Sequence, residues 1–267
     1  MEDLQSTIRL VAVDMDGTFL HHDDTYDRAR FARLRTQMDA AGVRFVVASG
    51  NQYEQISSFF PYRDELSFVG DNGAYVVEQG TPLFAAQIEP AVVHAVVDLL
   101  DAHGVPYLAS APGRAYVPDA APQHFYDTIA RYYHSLQRIG SVHDVADRIF
   151  KFALHDERGL PDGLDALIAD AAGAGVVPVT SGHGSMDLGA PGVHKASGLE
   201  ILMDRWGIDW SQTATFGDSF NDLEMLKRAR FSVAMANAAE ELKQIARFTT
   251  DSNDADGVLN QLEQWFA

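Results

Sequence analysis

Near the start of the sequence, a short apolar segment ends in two acidic residues, and this pattern narrows the possible folds to a few classes. Residues 8–13 read Ile-Arg-Leu-Val-Ala-Val, and Asp14 and Asp16 follow them directly. A short run of branched apolar residues is typical of a strand buried on both faces of a parallel sheet. An Asp-x-Asp pair alone is usually a solvated turn. After such a strand, however, it lies at the sheet edge where open α/β proteins bind ligands.

The same pattern returns along the chain. Further apolar runs end at Ser49-Gly50, at Asp71-Asn72-Gly73 and at Asp218, which Asn221 and Asp222 follow. Helical spacing of apolar residues separates several of these runs, and Lys195 opens one of the predicted helices. The alternation predicts an α/β fold with a doubly wound parallel sheet.

Between residues 85 and 189 the strands and helices no longer alternate regularly. Helices are predicted at Ala91–His103, Gln123–Leu136 and Pro161–Ala172, among several short strands. This mixture predicts an α+β domain inserted into the first fold. The expected division is a discontinuous core of residues 1–84 and 190–267, with an inserted domain of residues 85–189.

Composition excludes several classes of partner. The chain has 38 acidic and 20 basic side chains, a formal net charge of −18 and no cysteine. Strong negative charge argues against nucleic acid or an anionic membrane as the main partner. The start is acidic and polar rather than a basic segment followed by an apolar one, so a cytoplasmic location is expected.

The strand-end residues suggest phosphate chemistry. Carboxylates that converge from two strands repel one another unless a cation neutralises them, and Mg²⁺ prefers such oxygen ligands. Ser49, the Gly50 amide and Lys195 at a helix start could bind an anion. Alternatively, Ser219 or Asn221 could cap the next helix without any ligand being bound there. A lone serine at a strand end is usually structural, and a lone lysine is usually a solvated surface charge, so only their occurrence together indicates an anion site.

These residues resemble the four motifs of the haloacid dehalogenase superfamily. The resemblance is carried by Asp14-x-Asp16-Gly-Thr, Ser49-Gly50, Lys195 and Gly217-Asp218-Ser-x-Asn221-Asp222. The insert resembles the C2-type cap of the Cof subfamily, and residues 47–53 and 151–154 are most similar to Cof-type sugar phosphatases. One departure is Asn51, where many relatives carry an arginine that could contact the phosphate.

The resemblance implies a role for each motif residue. Asp14 would be the nucleophile and Asp16 the general acid and base. Mg²⁺ would be held by the Asp14 carboxylate, by Asp218 and by the main-chain carbonyl of Met15 or Asp16, of which the resemblance favours Asp16. Asp222 would support the site. The phosphate contacts would come from Met15, Ser49, Gly50, Lys195 and Asn221. Contacts to the leaving group are expected in the cap, from Thr180, Ser181, His183, Ser185 and Asp187.

The predicted function is therefore a Mg²⁺-dependent phosphatase of hexose or pentose phosphates that works through an aspartyl-phosphate. Another small ester, such as a nucleotide or polyol phosphate, and a phosphomutase remain alternatives. A phospho-accepting signalling domain would be shorter and would lack Asp16, and the intact Asp14/Asp16 pair argues against a silent sensor. The expected partner is a small phosphate ester, without nucleic acid, membrane or an obligate protein partner.

Overall fold

The computed structural model describes residues 7–182 and 184–267, without the side chains of residues 180–182. Contacts divide the chain into two compact units. The first contains the described residues up to Gly50, together with Phe60–Leu83 and His194–Ala267. The second contains Asn51–Phe59 and Phe84–Val193. None of the described helices combines the length and apolarity that a membrane span needs.

The first unit is built on an eight-stranded sheet in the order β14-β13-β12-β1-β2-β3-β4-β5. The strands from β14 to β3 pair in parallel, and β4 runs antiparallel to β3. The strands are β1 (Leu10–Val13), β2 (Arg44–Ala48), β3 (Ser67–Gly70), β4 (Tyr75–Glu78), β5 (Thr81–Ala85), β12 (Thr213–Gly217), β13 (Phe231–Ala234) and β14 (Phe248–Thr249).

Helices cover both faces of this sheet. They are α1 (Arg28–Ala40), α6 (Lys195–Trp206), α7 (Leu223–Arg228), α8 (Glu240–Ile245) and α9 (Gly257–Phe266). Successive residues of a strand point to opposite faces. Leu10 and Ala12 of β1 accordingly share a buried cluster with Leu199 of α6. On the other face, Phe45 of β2 packs against Phe31 of α1, with ring centroids 4.8 Å apart. The doubly wound α/β prediction is confirmed.

The central strand β1 is buried at each of its four residues. It pairs in parallel with β12 on one side and with β2 on the other, with Leu10 beside both Thr213 and Arg44. A strand with parallel partners on both sides brings its carboxyl end to the same edge as theirs. The residues that follow β1, β2, β3 and β12 therefore meet at one edge of the sheet.

The second unit contains a separate six-stranded sheet in the order β10-β11-β9-β6-β7-β8. Its described pairs are antiparallel except for β7 with β8. The strands are β6 (Tyr107–Ala111), β7 (Arg114–Pro118), β8 (Leu136–Ile139), β9 (Lys151–His155), β10 (Val177–Gly182) and β11 (Ser185–Gly189). The helices are α2 (Tyr53–Ser58), α3 (Pro90–His103), α4 (Gln123–Ile129) and α5 (Leu164–Ala172). This is the α+β composition that the sequence predicts for the insert.

The predicted helix Gln123–Leu136 is wrong in its second half, because α4 ends at Ile129 and β8 begins at Leu136. The apolar spacing that suggested a longer helix is real, since Phe125, Ile129 and Tyr133 share one buried cluster. The backbone leaves the helix because the edge of β7 offers hydrogen bonds. The Ala115 amide donates to the Ser135 carbonyl at 2.7 Å, and β8 then pairs with β7. Helix α5 also starts later than predicted, at Leu164 rather than Pro161.

Candidate active site

The site lies within the first unit and begins with Asp14, directly after β1. The Asp14 side chain is buried, and its main chain is held by two hydrogen bonds. Its amide donates to the Phe216 carbonyl of β12 at 3.1 Å, and its carbonyl accepts from the Phe19 amide at 3.2 Å. A turn follows in which Gly17 has a φ of +75°. Such a φ favours glycine because it lacks a Cβ atom.

Lys195 is the first residue of α6 and is fully buried. Its Nζ donates to Asp14 Oδ1 at 2.5 Å and to Asp222 Oδ1 at 2.6 Å. The preceding residue, His194, caps the helix by accepting a hydrogen bond from the Ser197 amide at 3.0 Å. The buried ammonium therefore links the strand-end loops after β1 and β12.

The loop after β12 holds the other carboxylates. Asp222 Oδ2 accepts from the amides of Asp218 and Ser219 at 2.9 and 3.1 Å. Asp218 Oδ1 accepts from the Thr18 hydroxyl at 2.9 Å, which joins this loop to the turn after Asp14. One carboxylate oxygen of Asp222 thus accepts a hydrogen bond from Lys195, and the other accepts from amides of its own loop. The arrangement makes Asp222 an anchor for the loop and for the lysine.

Burial controls the protonation of these groups. It raises the pKa of Asp14 well above the usual carboxyl value; Lys195 opposes the rise, and the charges of Asp222, Asp218 and Asp16 add to it. Burial and the charge of Asp222 raise the pKa of Asp218 to about 6. Burial alone would lower the pKa of Lys195, but attraction by Asp14 and Asp222 outweighs it and raises that pKa. A single ammonium therefore faces three carboxyl groups.

The three carboxyl groups of Asp14, Asp218 and Asp222 are close enough to hold a metal ion. One oxygen from each lies within 4.8 Å of the others. Buried carboxylates at this spacing repel one another unless a proton or a cation lies among them. Hard divalent cations prefer oxygen ligands of this kind. The donor set therefore fits a dication. Both oxygens of Asp222 are hydrogen-bonded to Lys195 or to loop amides, whereas Asp14 and Asp218 are not fully used in this way.

The remaining predicted residues lie around this centre. Asp16 is exposed in the turn after Asp14, and the Met15 side chain is buried. The Met15 carbonyl accepts from the amides of Thr18, Phe19 and Leu20 at 3.2, 2.9 and 2.9 Å. Of the two carbonyls considered as metal ligands, that of Met15 is thus occupied by the turn.

The loops after β2 and β12 also meet. Ser49 is buried, and its carbonyl accepts from the Asn72 amide at 3.0 Å. The Asn221 carboxamide donates to Asn72 Oδ1 at 3.1 Å. An ideal Cβ atom at Gly50 would lie 3.4 Å from Asn221 Nδ2. The structure thus brings Ser49, Gly50 and Asn221 together around Asn72.

The predicted leaving-group contacts lie in the second unit. The Ser185 hydroxyl is 2.8 Å from His155 Nδ1, and an Asp187 carboxylate oxygen is 3.2 Å from Lys151 Nζ. His183 and the side chains of Thr180 and Ser181 lie outside the described residues. Their role in binding a leaving group stays a prediction.

Two asparagines at the same edge were not singled out as site residues from the sequence. Asn72 follows β3, and Asn237 follows β13 and donates to the Gly17 carbonyl at 2.7 Å. Both occur just after an apolar strand, which is the signal that identified Asp14, Ser49 and Asp218. Asn72 lies within a strand end that the sequence already shows, whereas Asn237 follows an apolar run that the sequence does not connect with the acidic residues.

Comparison with known proteins shows which family the sequence matches. The family model described as haloacid dehalogenase-like hydrolase matches residues 11–262. The chain is 41% identical over 260 residues to the 5-amino-6-(5-phospho-D-ribitylamino)uracil phosphatase YbjI of Escherichia coli (strain K12), covering 97% of this chain and 96% of YbjI. It is 25% identical over 271 residues to a Bacillus subtilis (strain 168) phosphatase of the same name, YitU, covering 97% of each chain.

A solved structure has the same fold over nearly the whole chain. It is that of a haloacid dehalogenase (HAD) subclass IIB sugar phosphatase. The TM-score is 0.81 at 19% identity, and the match covers 96% of this chain and 98% of the other. At this identity the likeness concerns the fold alone.

Proposed function

The chain belongs to the haloacid dehalogenase-like hydrolase family and is a phosphoric monoester hydrolase, and on that premise we propose that it is a Mg²⁺-dependent phosphatase acting through an aspartyl-phosphate on Asp14. The observation that carries the proposal is the buried Lys195 ammonium between Asp14 and Asp222, beside Asp218. Acidic side chains clustered on a surface are solvated and need no buried ammonium among them. An enzyme that brings a negatively charged phosphoryl group to a carboxylate needs such a cation, because it reduces the repulsion between the two groups.

In the first half of the proposed reaction, Asp14 attacks phosphorus. Lys195 holds Oδ1 of Asp14 at 2.5 Å, so the other carboxylate oxygen forms the new P–O bond. The bond to the ester oxygen breaks, its electron pair stays on that oxygen, and Asp16 supplies the proton. Mg²⁺ held by Asp14, Asp218 and the Asp16 carbonyl would neutralise charge on the phosphoryl oxygens.

In the second half, water hydrolyses the aspartyl-phosphate. Asp16, now a carboxylate, accepts a proton from the attacking water. The bond between phosphorus and the Asp14 oxygen breaks, and its electron pair returns to the carboxylate. The Lys195 ammonium, the Gly50 amide, the Ser49 hydroxyl and the Asn221 carboxamide would bind the phosphoryl oxygens as charge develops, with Met15 contributing through its main-chain amide. Asp222 keeps Lys195 and the Asp218 loop in place.

The substrate we propose first is a phosphorylated ribitylaminouracil. The support is similarity to YbjI and YitU, whose names state that they act on 5-amino-6-(5-phospho-D-ribitylamino)uracil. This ester is a polyol phosphate, one of the classes left open by the sequence. Hexose and pentose phosphates are the second candidate, because residues 47–53 and 151–154 resemble Cof-type sugar phosphatases. The proposal also assigns choice of the leaving group to the cap predicted at residues 85–189.

The test measures phosphate release across both substrate classes. Wild type, Asp14→Asn and the surface control Asp165→Asn are assayed on the ribitylaminouracil phosphate, on hexose and pentose phosphates and on a nucleotide, with Mg²⁺ or with EDTA. We expect steady release that needs Mg²⁺, disappears in Asp14→Asn and persists in the control. Acid quenching of wild type during turnover should trap a phosphorylated peptide that contains Asp14.

Each alternative has its own result. Steady hydrolysis of sugar phosphates with little release from the ribitylaminouracil ester would replace the first substrate by the second. Transfer of the phosphoryl group between positions of one sugar, without net release, would identify a mutase. Equal release by wild type and Asp14→Asn would overturn the mechanism.

A further inference from the structure

The turn after β3, Asp71–Gly73, has an unusual backbone. Its three residues have φ angles of +49°, +56° and +98°. It is the one place in residues 7–182 and 184–267 where two consecutive non-glycine residues have positive φ. Such conformations persist where surrounding contacts impose them, and they occur preferentially at functional sites. The contacts of the turn are therefore informative.

The Asp71–Gly73 turn contacts the Ser49–Gly50 loop and the residue that precedes Lys195. The Asn72 amide donates to the Ser49 carbonyl at 3.0 Å. The Asn72 carboxamide lies against Gly50, where an ideal Cβ atom would be 3.1 Å from its Oδ1. At Gly73 an ideal Cβ atom would be 2.2 Å from the carbonyl oxygen of His194, the residue before Lys195. The backbone of the turn is thus packed directly against the start of α6.

The Asn221 carboxamide is held at both ends. Its Oδ1 accepts from the Ser219 hydroxyl at 2.6 Å, and its Nδ2 donates to Asn72 Oδ1 at 3.1 Å. A carboxamide nitrogen carries two hydrogens, and the bond to Asn72 uses one of them. That bond fixes the direction in which the second hydrogen points. Asn72 therefore sets the orientation of the second N–H of the Asn221 carboxamide.

We propose that Asn72 is a positioning residue for phosphate binding: through Asn221 and the Ser49–Gly50 turn, it aligns the donors that contact the phosphoryl group of the substrate. The inference rests on the proposed function, because it takes Ser49, Gly50 and Asn221 as the phosphate contacts. It adds a residue outside the four motifs and explains the strained backbone. In this conformation the main-chain amide of Asn72 donates to Ser49, and the side-chain oxygen of the same residue accepts from Asn221.

The first variant is Asn72→Gly, which separates an effect on the alignment of the phosphate-binding donors from an effect on protein stability. Glycine adopts positive φ without steric cost and keeps the amide that bonds Ser49. The unfolding midpoint should therefore stay level or rise, while the carboxamide is lost. We expect kcat/KM to fall about tenfold, the order of effect of one lost hydrogen bond. The inhibition constant of inorganic phosphate should rise by a similar factor.

The loss should not depend on the leaving group, because the effect is on the phosphoryl group. Wild type and Asn72→Gly are compared on p-nitrophenyl phosphate and on an alkyl phosphate, where we expect the same factor. Gln79→Gly is the matched control, since Gln79 is exposed, lies in the same unit and has a φ of +48°. This control should keep wild-type kinetics.

A double-mutant cycle with Asn221→Ala tests the route of the effect. If Asn72 acts through Asn221, the double variant should be scarcely worse than the worse single variant. The proposal would be overturned if the losses of the two single variants were additive, or if Asn72→Gly had unchanged kinetics. It would also be overturned if a lower unfolding midpoint of Asn72→Gly accounted for the lost activity.

Binding of inorganic phosphate with Mg²⁺, measured by calorimetry, separates this proposal from the proposed function. If the wild type hydrolyses no ester but binds phosphate, the proposed function fails, and a weaker affinity in Asn72→Gly still supports the positioning role. Equal affinities in wild type and variant, or wild-type protein that binds no phosphate, would overturn that role.

Discussion

Lys195 Nζ lies 2.5 Å from Asp14 Oδ1, and both side chains are buried. The lysine opens a helix 181 residues further along the chain, yet its charge is neutralised within the site by Asp14 and Asp222. A buried ammonium with two carboxylate partners is stabilised by both, and its removal leaves two buried negative charges. The same contact leaves the second Asp14 oxygen as the proposed nucleophile.

Lys195→Met should therefore be destabilising as well as inactive. Loss of a buried ion-pair partner costs about 3–5 kcal/mol, and we expect the free energy of unfolding to fall by about that amount near neutral pH. The fall should be smaller near pH 5, because burial raises the pKa of Asp14 and its abandoned carboxyl group binds a proton there. Denaturant unfolding in EDTA measures it. Lys227→Met, at an exposed lysine, should change the free energy by under about 0.5 kcal/mol. An equal effect of the two substitutions would contradict this prediction.

Asp218 should make the metal-free protein less stable as the pH rises. Its pKa is raised from 3.8 to about 6 in the folded protein. Its contribution is fully present below the unfolded pKa and is lost as the pH rises through the folded pKa. Relative to Asp218→Asn, wild type should lose about 1–2 kcal/mol of unfolding free energy between about pH 5 and pH 8 in EDTA.

The measurement is denaturant unfolding of wild type and Asp218→Asn at several pH values. Asparagine keeps an oxygen that can accept from the Thr18 hydroxyl, so the comparison isolates the charge. Saturating Mg²⁺ should remove the pH trend of the difference, because a bound cation keeps the carboxylate ionised. Parallel curves for the two proteins in EDTA would show that Asp218 has no raised pKa.

Gly17→Ala should weaken metal binding through a direct clash. An ideal Cβ atom at Gly17 would lie 2.6 Å from Asp218 Oδ2, so the carboxylate must move. Gly113→Ala is the matched control, because Gly113 has a nearly identical φ of +77° and an ideal Cβ atom there meets nothing within 4 Å. Both variants bear the backbone strain, about 1–2 kcal/mol.

The readout is the Mg²⁺ concentration needed for half-maximal phosphate release. We expect Gly17→Ala to need at least about tenfold more Mg²⁺, corresponding to about 1.4 kcal/mol, with little change in Gly113→Ala. An equal Mg²⁺ requirement in the two variants would show that strain, and not displacement of Asp218, is the whole effect.

Asn237→Ala should impair proton transfer more than phosphate binding. Asn237 donates to the Gly17 carbonyl and accepts from the Asn253 amide, so it ties down the turn that carries Asp16. An alkyl leaving group needs a proton from Asp16, whereas p-nitrophenolate leaves without one. We expect kcat on an alkyl phosphate to fall about tenfold or more, since general acid catalysis contributes at least that much.

The ratio of the two rates is the informative quantity. On p-nitrophenyl phosphate the loss should be much smaller, and Gln37→Ala on the exposed face of α1 should leave both rates unchanged. A loss of the same size on both esters would show that Asn237 does not act on the placement of Asp16.

The strands and the edge at which they end could be predicted because their signals are local. The apolar run before Asp14 is typical of a strand buried on both faces of a parallel sheet, and its β2 and β12 counterparts have the same character. The second half of the predicted helix Gln123–Leu136 failed for the opposite reason. Its apolar spacing is also local, but the free edge of β7 competed for the backbone, and that edge is distant in sequence.

The α/β class, the family resemblance and the acidic and phosphate-binding candidates could be inferred from the amino-acid sequence, because they depend on residue type and order. Which of these candidates contact one another follows only from the folded arrangement. It placed Lys195 between Asp14 and Asp222, occupied both Asp222 oxygens and made Asn72 the contact of Ser49 and Asn221. The two partners of Lys195 are 27 and 181 residues away along the chain, so they depend on how strands and helices pack, and no local pattern encodes that choice.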